Sequence, residues 1–216
     1  MENFSISLLK QISEKHLLKH EFYQAWSNGA ISREKLCLYA EQYYHHVNAF
    51  PRYVSAIHSK SESKKARQAL LENLIDEERG EENHPELWLR FAEGMGTDRT
   101  KVETAELLPA TRSLIDTFLS YTQSSYAEGL GALFAYEQQV PEIAAFKIEA
   151  LRAHYDIKDV RTLAFFEVHR KADVYHSQAI AELLGELSPK EKELSSKAAE
   201  KSSHSLWNFL DAVQAA

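Results

Sequence analysis

Cysteine is almost absent from this chain. A single thiol, Cys37, cannot form an intrachain disulfide, so a disulfide-framed scaffold is excluded. Glycine and proline are scarce as well, at seven and five residues in 216, which favours long helices over a turn-rich all-β architecture. Long apolar runs are missing, and no stretch approaches the roughly 18 residues of a membrane span. Basic runs are missing too. A formal net charge of −7 and a pI near 5.8 argue against binding to a phosphate backbone. The N-terminus, Met1-Glu2-Asn3-Phe4, shows no basic segment followed by an apolar core, so no secretory signal is read there. The expectation is a reducing, cytoplasmic setting, with no nucleic-acid or membrane partner.

What is present is ordinary for a globular chain: 44% hydrophobic and 26% charged residues. The length suits a single domain over residues 1–216. Almost every segment carries apolar residues with a period near 3.6. A first helix is expected from Leu8 through Trp26, ending at Asn28-Gly29. Ser32 is the expected cap of the next, which Pro51 should kink or break. A helix from about Ser63 to Arg79 follows, with Gly80 a weak point. Asn83-His84-Pro85 reads as a start and Gly94 to Thr97 as a loop. Pro109 opens a helix to Tyr126. Gly129 and Gly131 fall in a long helix to about Tyr155, with Pro141 as a kink. Asp159 caps a helix to about Leu184, and Ser188-Pro189-Lys190-Glu191 starts the last. That makes seven or eight helices, no strand, and an all-α bundle whose sites lie between helices.

Six residues of metal-ligand type stand at helical spacings. Glu77 and His84 are seven apart, and share a face if one helix runs through Gly80. His169, Asp173 and His176 lie at i, i+4 and i+7, within about 60° of one another on a helix. Glu137 sits in the apolar run Leu133-Phe134-Ala135-Tyr136-Glu137, where an unpaired carboxylate is costly. Asp173 and His176 have the i, i+3 spacing of dinuclear carboxylate bundles. Three carboxylates and three imidazoles suit two first-row ions, Fe or Mn with Zn admissible, and exclude a thiolate site. Against this stands the plain reading of the acidic run Asp76 to Glu82 as a solvated face, and of scattered histidines among ten as chance spacing. Tyr23, Tyr39, Tyr43 and Tyr136 could equally be aromatic core.

Several stretches resemble one family. They are Glu21-Phe22-Tyr23 with Trp26, Tyr39-Ala40 with Tyr43-Tyr44, Ala49 to Tyr53, Ser55 to His58, Asn73 to Glu78, Asn83-His84, Ala135-Tyr136-Glu137, Pro141, His169 and Ala172-Asp173. Together they look like the Chlamydia protein associating with death domains and its bacterial homologues. The wider fold resembles haem oxygenase, TenA and PqqC. The resemblance implies a haem-oxygenase-like bundle of seven to eight helices with a dinuclear, non-haem site. Its ligands would be Glu77, His84, Glu137, His169, Asp173 and His176. It further implies two metal ions (Fe/Fe or Fe/Mn), O2 as co-substrate and an external reductant. The reaction implied is self-sacrificing formation of 4-aminobenzoate for folate synthesis. Tyr23 matches the ring donor and Lys147 the amino donor, with Tyr39 and Tyr136 as neighbouring tyrosines. On a straight helix Lys147 stands about 80° round and about 15 Å along the axis from Glu137, so a bend at Pro141 would have to bring it closer.

Three rival readings follow from other features. A TenA-like hydrolase would use Cys37 as nucleophile, although its place between Leu36 and Leu38 reads as a buried, inert thiol. A PqqC-like oxidase would act on a small exogenous substrate without metal. A host-interaction protein would bind a death domain, which nothing in the sequence supports. A homodimer remains open as the assembly state.

Overall fold

Polar caps decide where this chain turns. In order, the helices are α1 (Phe4–Ile12), α2 (Glu21–Ser27), α3 (Arg33–Lys60), α4 (Lys64–Glu78), α5 (His84–Met95), α6 (Arg99–Glu103), α7 (Pro109–Ser124), α8 (Tyr126–Glu137), α9 (Val140–His154), α10 (Val160–Gly185) and α11 (Pro189–Ala215). This computed structural model describes residues 4–216, the side chains of 171–174 excepted. Ser32, Ser63, Asn83, Asp98, Ser125, Asp159 and Ser188 each accept the backbone N–H three residues on. Each satisfies one of the donors that a helix start leaves open. No strand occurs among the described residues. None of their helices is long and apolar enough to cross a membrane.

The helices outnumber the seven or eight expected because the chain breaks where periodicity did not. The expected first helix is interrupted by two 3-10 turns, Ser13–Lys15 and Leu17–Lys19, with His16 extended between them and His20 extended after the second. Pro51, conversely, lies inside an unbroken α3, so the predicted break is absent. The long helix predicted across Pro141 is two helices. α8 stops at Glu137, and Pro141 lies in the first turn of α9, where its missing N–H costs nothing. The short helix α6 has no counterpart among the helices expected from periodicity.

α8 lies at the centre. All its residues from Gly129 to Glu137 are buried, as expected of a helix apolar all round. α3, α7, α10 and α11 pack around it. Gly131 lets α11 approach, since a Cβ there would collide with the backbone carbonyl of Ser195. The surrounding core is strongly aromatic, with Trp26, Trp88, Tyr39, Tyr53, Phe22 and Phe91 fully buried. α5 and α10 are tied at the surface through Glu93, which pairs with Arg99 and Arg161.

Candidate metal centre

Glu77 lies in the last turn of α4 and His84 in the first turn of α5. They do not share a helix. Gly80 adopts a φ of 85°, a left-handed conformation that glycine takes without strain, and reverses the chain between them. The turn brings the two side chains together more closely than a continuous helix would: His84 Nδ1 is 2.7 Å from Glu77 Oε2. His169 arrives from the middle of α10. Ligand-type atoms of Glu77, His84 and His169 all lie within 4.8 Å of one another, and all three residues are buried. The rings of His84 and His169 have centroids 4.2 Å apart.

The other predicted ligands are placed around this triad through α4. Glu137 is 2% exposed at the C-terminal end of α8. Burial and the negative end of the helix dipole both disfavour an anion there, so a nearby cation would relieve two penalties at once. Asn73, one turn before Glu77, donates to Glu137 Oε1 at 2.7 Å. His176 is buried, and its Nε2 is 3.1 Å from Asp76 Oδ2. The side chain of Asp173 lies outside the described residues. Asn73 and Asp76 were not read from the sequence as site residues. Asp76 was hidden in an acidic run, and Asn73 had only its i, i+4 spacing to Glu77 as a signal.

The hydrogen bonds fix which imidazole nitrogens are available. His169 Nδ1 lies 2.7 Å from the carbonyl of Phe165, a group that can only accept, so Nδ1 carries the proton and Nε2 presents a lone pair. His176 is held through Nε2 by Asp76, which leaves Nδ1 facing away from that carboxylate. A carbonyl or carboxylate behind each imidazole is the usual outer support of a metal-bound histidine. Burial acts to raise the pKa of Glu77, but the ion pair and hydrogen bond with His84, with His169 and His176 behind it, hold the carboxyl below its ordinary range. A buried nitrogen-and-oxygen donor set of this kind fits a first-row transition ion.

A matching family model for iron-containing redox enzymes spans residues 37–208. The chain belongs to that family. It is 43% identical over 216 residues to the 4-aminobenzoate synthase of Nitrosomonas europaea (strain ATCC 19718 / CIP 103999 / KCTC 2705 / NBRC 14298), covering 94% of this chain and 87% of that one. It is 38% identical over 210 residues to the 4-aminobenzoate synthase of Chlamydia trachomatis serovar D (strain ATCC VR-885 / DSM 19411 / UW-3/Cx), covering 97% and 91%. A TenA homologue from Pseudomonas syringae pv. tomato superimposes with a TM-score of 0.84 at 18% identity, over 99% of this chain and 93% of that one, and shares the fold. The architecture is the all-α, haem-oxygenase-like bundle.

Beside the triad lies a second constellation. Lys147 on α9 is 3% exposed. Its Nζ donates to Tyr39 Oη at 2.7 Å, and Tyr39 Oη is 3.2 Å from Tyr23 Oη. Six ring centroids surround Nζ: Tyr39 at 4.9 Å, Phe166 at 5.2, Tyr23 at 5.3, Trp26 at 5.5, Tyr43 at 5.6 and Trp88 at 5.7 Å. Burial pushes the amine well below the ordinary lysine range and the Tyr23 and Tyr39 phenols well above theirs. Tyr43 donates to Tyr136 at 3.1 Å. One cavity of about 20 Å³ is lined by Tyr23, Tyr43, Tyr136, Lys147, Phe165 and His169, and so joins this cluster to the triad. The separation expected along one straight helix does not apply, because Glu137 ends α8 and Lys147 stands on α9, with Gln138-Gln139 between them. Cys37, in contrast, is half-buried and donates to the carbonyl of Met95, and burial raises its pKa. It is neither a thiolate nor part of either cluster.

Proposed function

We propose that this protein makes 4-aminobenzoate from its own side chains, with Tyr23 as the source of the ring and Lys147 as the source of the nitrogen. Glu77, His84, Glu137, His169, Asp173 and His176 would hold two metal ions, Fe/Fe or Fe/Mn. When bound, these ions supply oxidation with O2 and an external reductant, chemistry that no side chain provides. Such oxidation is required. Turning a tyrosyl side chain into 4-aminobenzoate breaks the chain at Cα–Cβ, oxidises the benzylic carbon to a carboxylate and replaces the phenolic oxygen by nitrogen.

The observation that carries this reading is the hydrogen-bonded row Lys147 Nζ, Tyr39 Oη, Tyr23 Oη, enclosed by rings beside the triad. Desolvation favours the neutral amine, the form of lysine that has a lone pair to give. Tyr39 spans the two reacting groups and can pass a proton between them. Trp26, Trp88 and Phe166 exclude water from the amine, and the cavity has room for about one water molecule. That volume favours a resident substrate over the exogenous one that a PqqC-like oxidase would need. The hydrolytic alternative has little support, since Cys37 donates to the Met95 carbonyl and lies outside both clusters.

Peptide mass spectrometry after metal loading, reduction and exposure to O2 tests the proposal. The expected result is loss of the Tyr23 side chain and of the Lys147 amine, with no product from Tyr23→Phe and unchanged metal content in that variant. Full product yield from Tyr23→Phe would remove Tyr23 from the role. A second reading has one observation behind it: the amine donates to Tyr39, not Tyr23. Consumption of Tyr39 in the same experiment would establish it.

A further inference from the structure

α2 carries Tyr23, yet it is only seven residues long, too short to hold its shape without tertiary support. Its cap is unusual in this protein. Seven other helices start on a serine, asparagine or aspartate whose side chain caps them, whereas α2 starts on His20. The His20 side chain is 2% exposed. Its Nδ1 accepts the backbone N–H of Phe22 at 3.0 Å. Its Nε2 lies 3.0 Å from Asp211 Oδ1 on α11. The first contact requires a lone pair on Nδ1, so Nε2 must carry the proton and donate to Asp211. The ring packs on Trp207 of the same helix with centroids 4.6 Å apart, and Lys15 Nζ stands 4.3 Å over the Trp207 ring. A serine or aspartate could satisfy the Phe22 amide but could not reach α11. The imidazole does both.

We infer that His20 is the positioning residue for Tyr23, a two-ended clamp that starts α2 and fastens it to α11 through Asp211 and Trp207. The capped amide belongs to the residue immediately before Tyr23. The first turn of α2 therefore sets the direction of the Tyr23 side chain, whose hydroxyl must arrive 3.2 Å from that of Tyr39. Releasing the clamp frays that turn and moves the ring relative to Lys147. The triad stands on other helices, Glu77 on α4, His84 on α5 and His169 on α10. This inference rests on the reading of Tyr23 given above.

Hydrogen exchange of the metal-free protein, read by mass spectrometry, tests the clamp without reference to activity. In His20→Ala, peptides covering 16–27 exchange faster by on the order of tenfold, the opening expected on losing a helix cap, while peptides from α4 and α10 are unchanged. Asp211→Ala, a change at an exposed carboxylate, gives the same pattern to a smaller degree. His20→Asn supplies an amide oxygen in place of Nδ1 as acceptor for the Phe22 N–H and recovers part of the protection. In metal-loaded protein the rate of 4-aminobenzoate formation follows the same order, with metal content constant. Unchanged exchange over 16–27 in His20→Ala, or an equal rise in every peptide, overturns the clamp. If wild-type protein forms no 4-aminobenzoate while the exchange pattern holds, the clamp stands and the reading of Tyr23 falls.

Discussion

His46 offers a quantitative test of how this aromatic core treats charge. It is fully buried on α3, ringed by Tyr43, Phe50, Tyr53, Phe118 and Tyr136 at centroid distances of 4.9 to 6.2 Å. Neither ring nitrogen has a hydrogen-bond partner among the described residues. Burial alone lowers its pKa from 6.5 to about 3. The unfolded chain thus binds a proton between these two values and the folded chain does not. Stability is unaffected above pH 6.5 and falls as the pH drops through the window. Each unit of the shift corresponds to about 1.4 kcal/mol, so about 2 kcal/mol is lost by pH 5 and about 4 kcal/mol by pH 3, where the folded-state imidazole is half protonated. His46→Leu, close in volume, removes the group and with it this contribution. Urea unfolding of both proteins at pH 8, 7, 6 and 5 gives the comparison. Other titrating groups act equally in the two and cancel in the difference. The variant is expected to be at least as stable as wild type at pH 8, since a buried imidazole without partners is replaced by an apolar side chain. Its advantage should grow by about 2 kcal/mol at pH 5. A difference that stays constant with pH would refute the reasoning and mean that the imidazole finds a proton partner inside the folded protein.

Two further outcomes follow from the local geometry. Gly80→Ala finds no atom within 4 Å of the new Cβ but must hold a φ of 85°, so it should lower the unfolding free energy by about 1 kcal/mol. It should also weaken metal loading, measured by titration and elemental analysis, because the turn it strains sets the Glu77–His84 contact. Cys37→Ala should leave product formation unchanged; a loss of product would return the thiol to the site.

Much of the candidate site was legible because helical spacing is a local property. Residues 169, 173 and 176 share a face wherever α10 packs, and Glu137, a carboxylate in an apolar run, signals a buried partner without any coordinates. The caps at Ser32, Asp159 and Ser188 were likewise readable, since a capping bond spans three residues. The breaks were less so. Periodicity continues across 13–20 and across Gln138-Gln139, and only side chains from distant helices, His20 with Asp211 and Leu17 with Gln139, show why the chain turns there. Asn73 and Asp76 escaped notice because their partners, Glu137 and His176, lie 64 and 100 residues away.

The sequence by itself determined that the chain is helical and which residue types a candidate metal centre would draw on, because propensity, capping and the 3.6-residue period act within a few residues. The tertiary structure decided how they meet. It brought Glu77 and His84 together across a glycine turn instead of along a helix. It also set Lys147 on a separate helix from Glu137 and in a box of rings beside Tyr39 and Tyr23. Those distances depend on where the helices cross, and burial fixes the charge states only once the crossing is made.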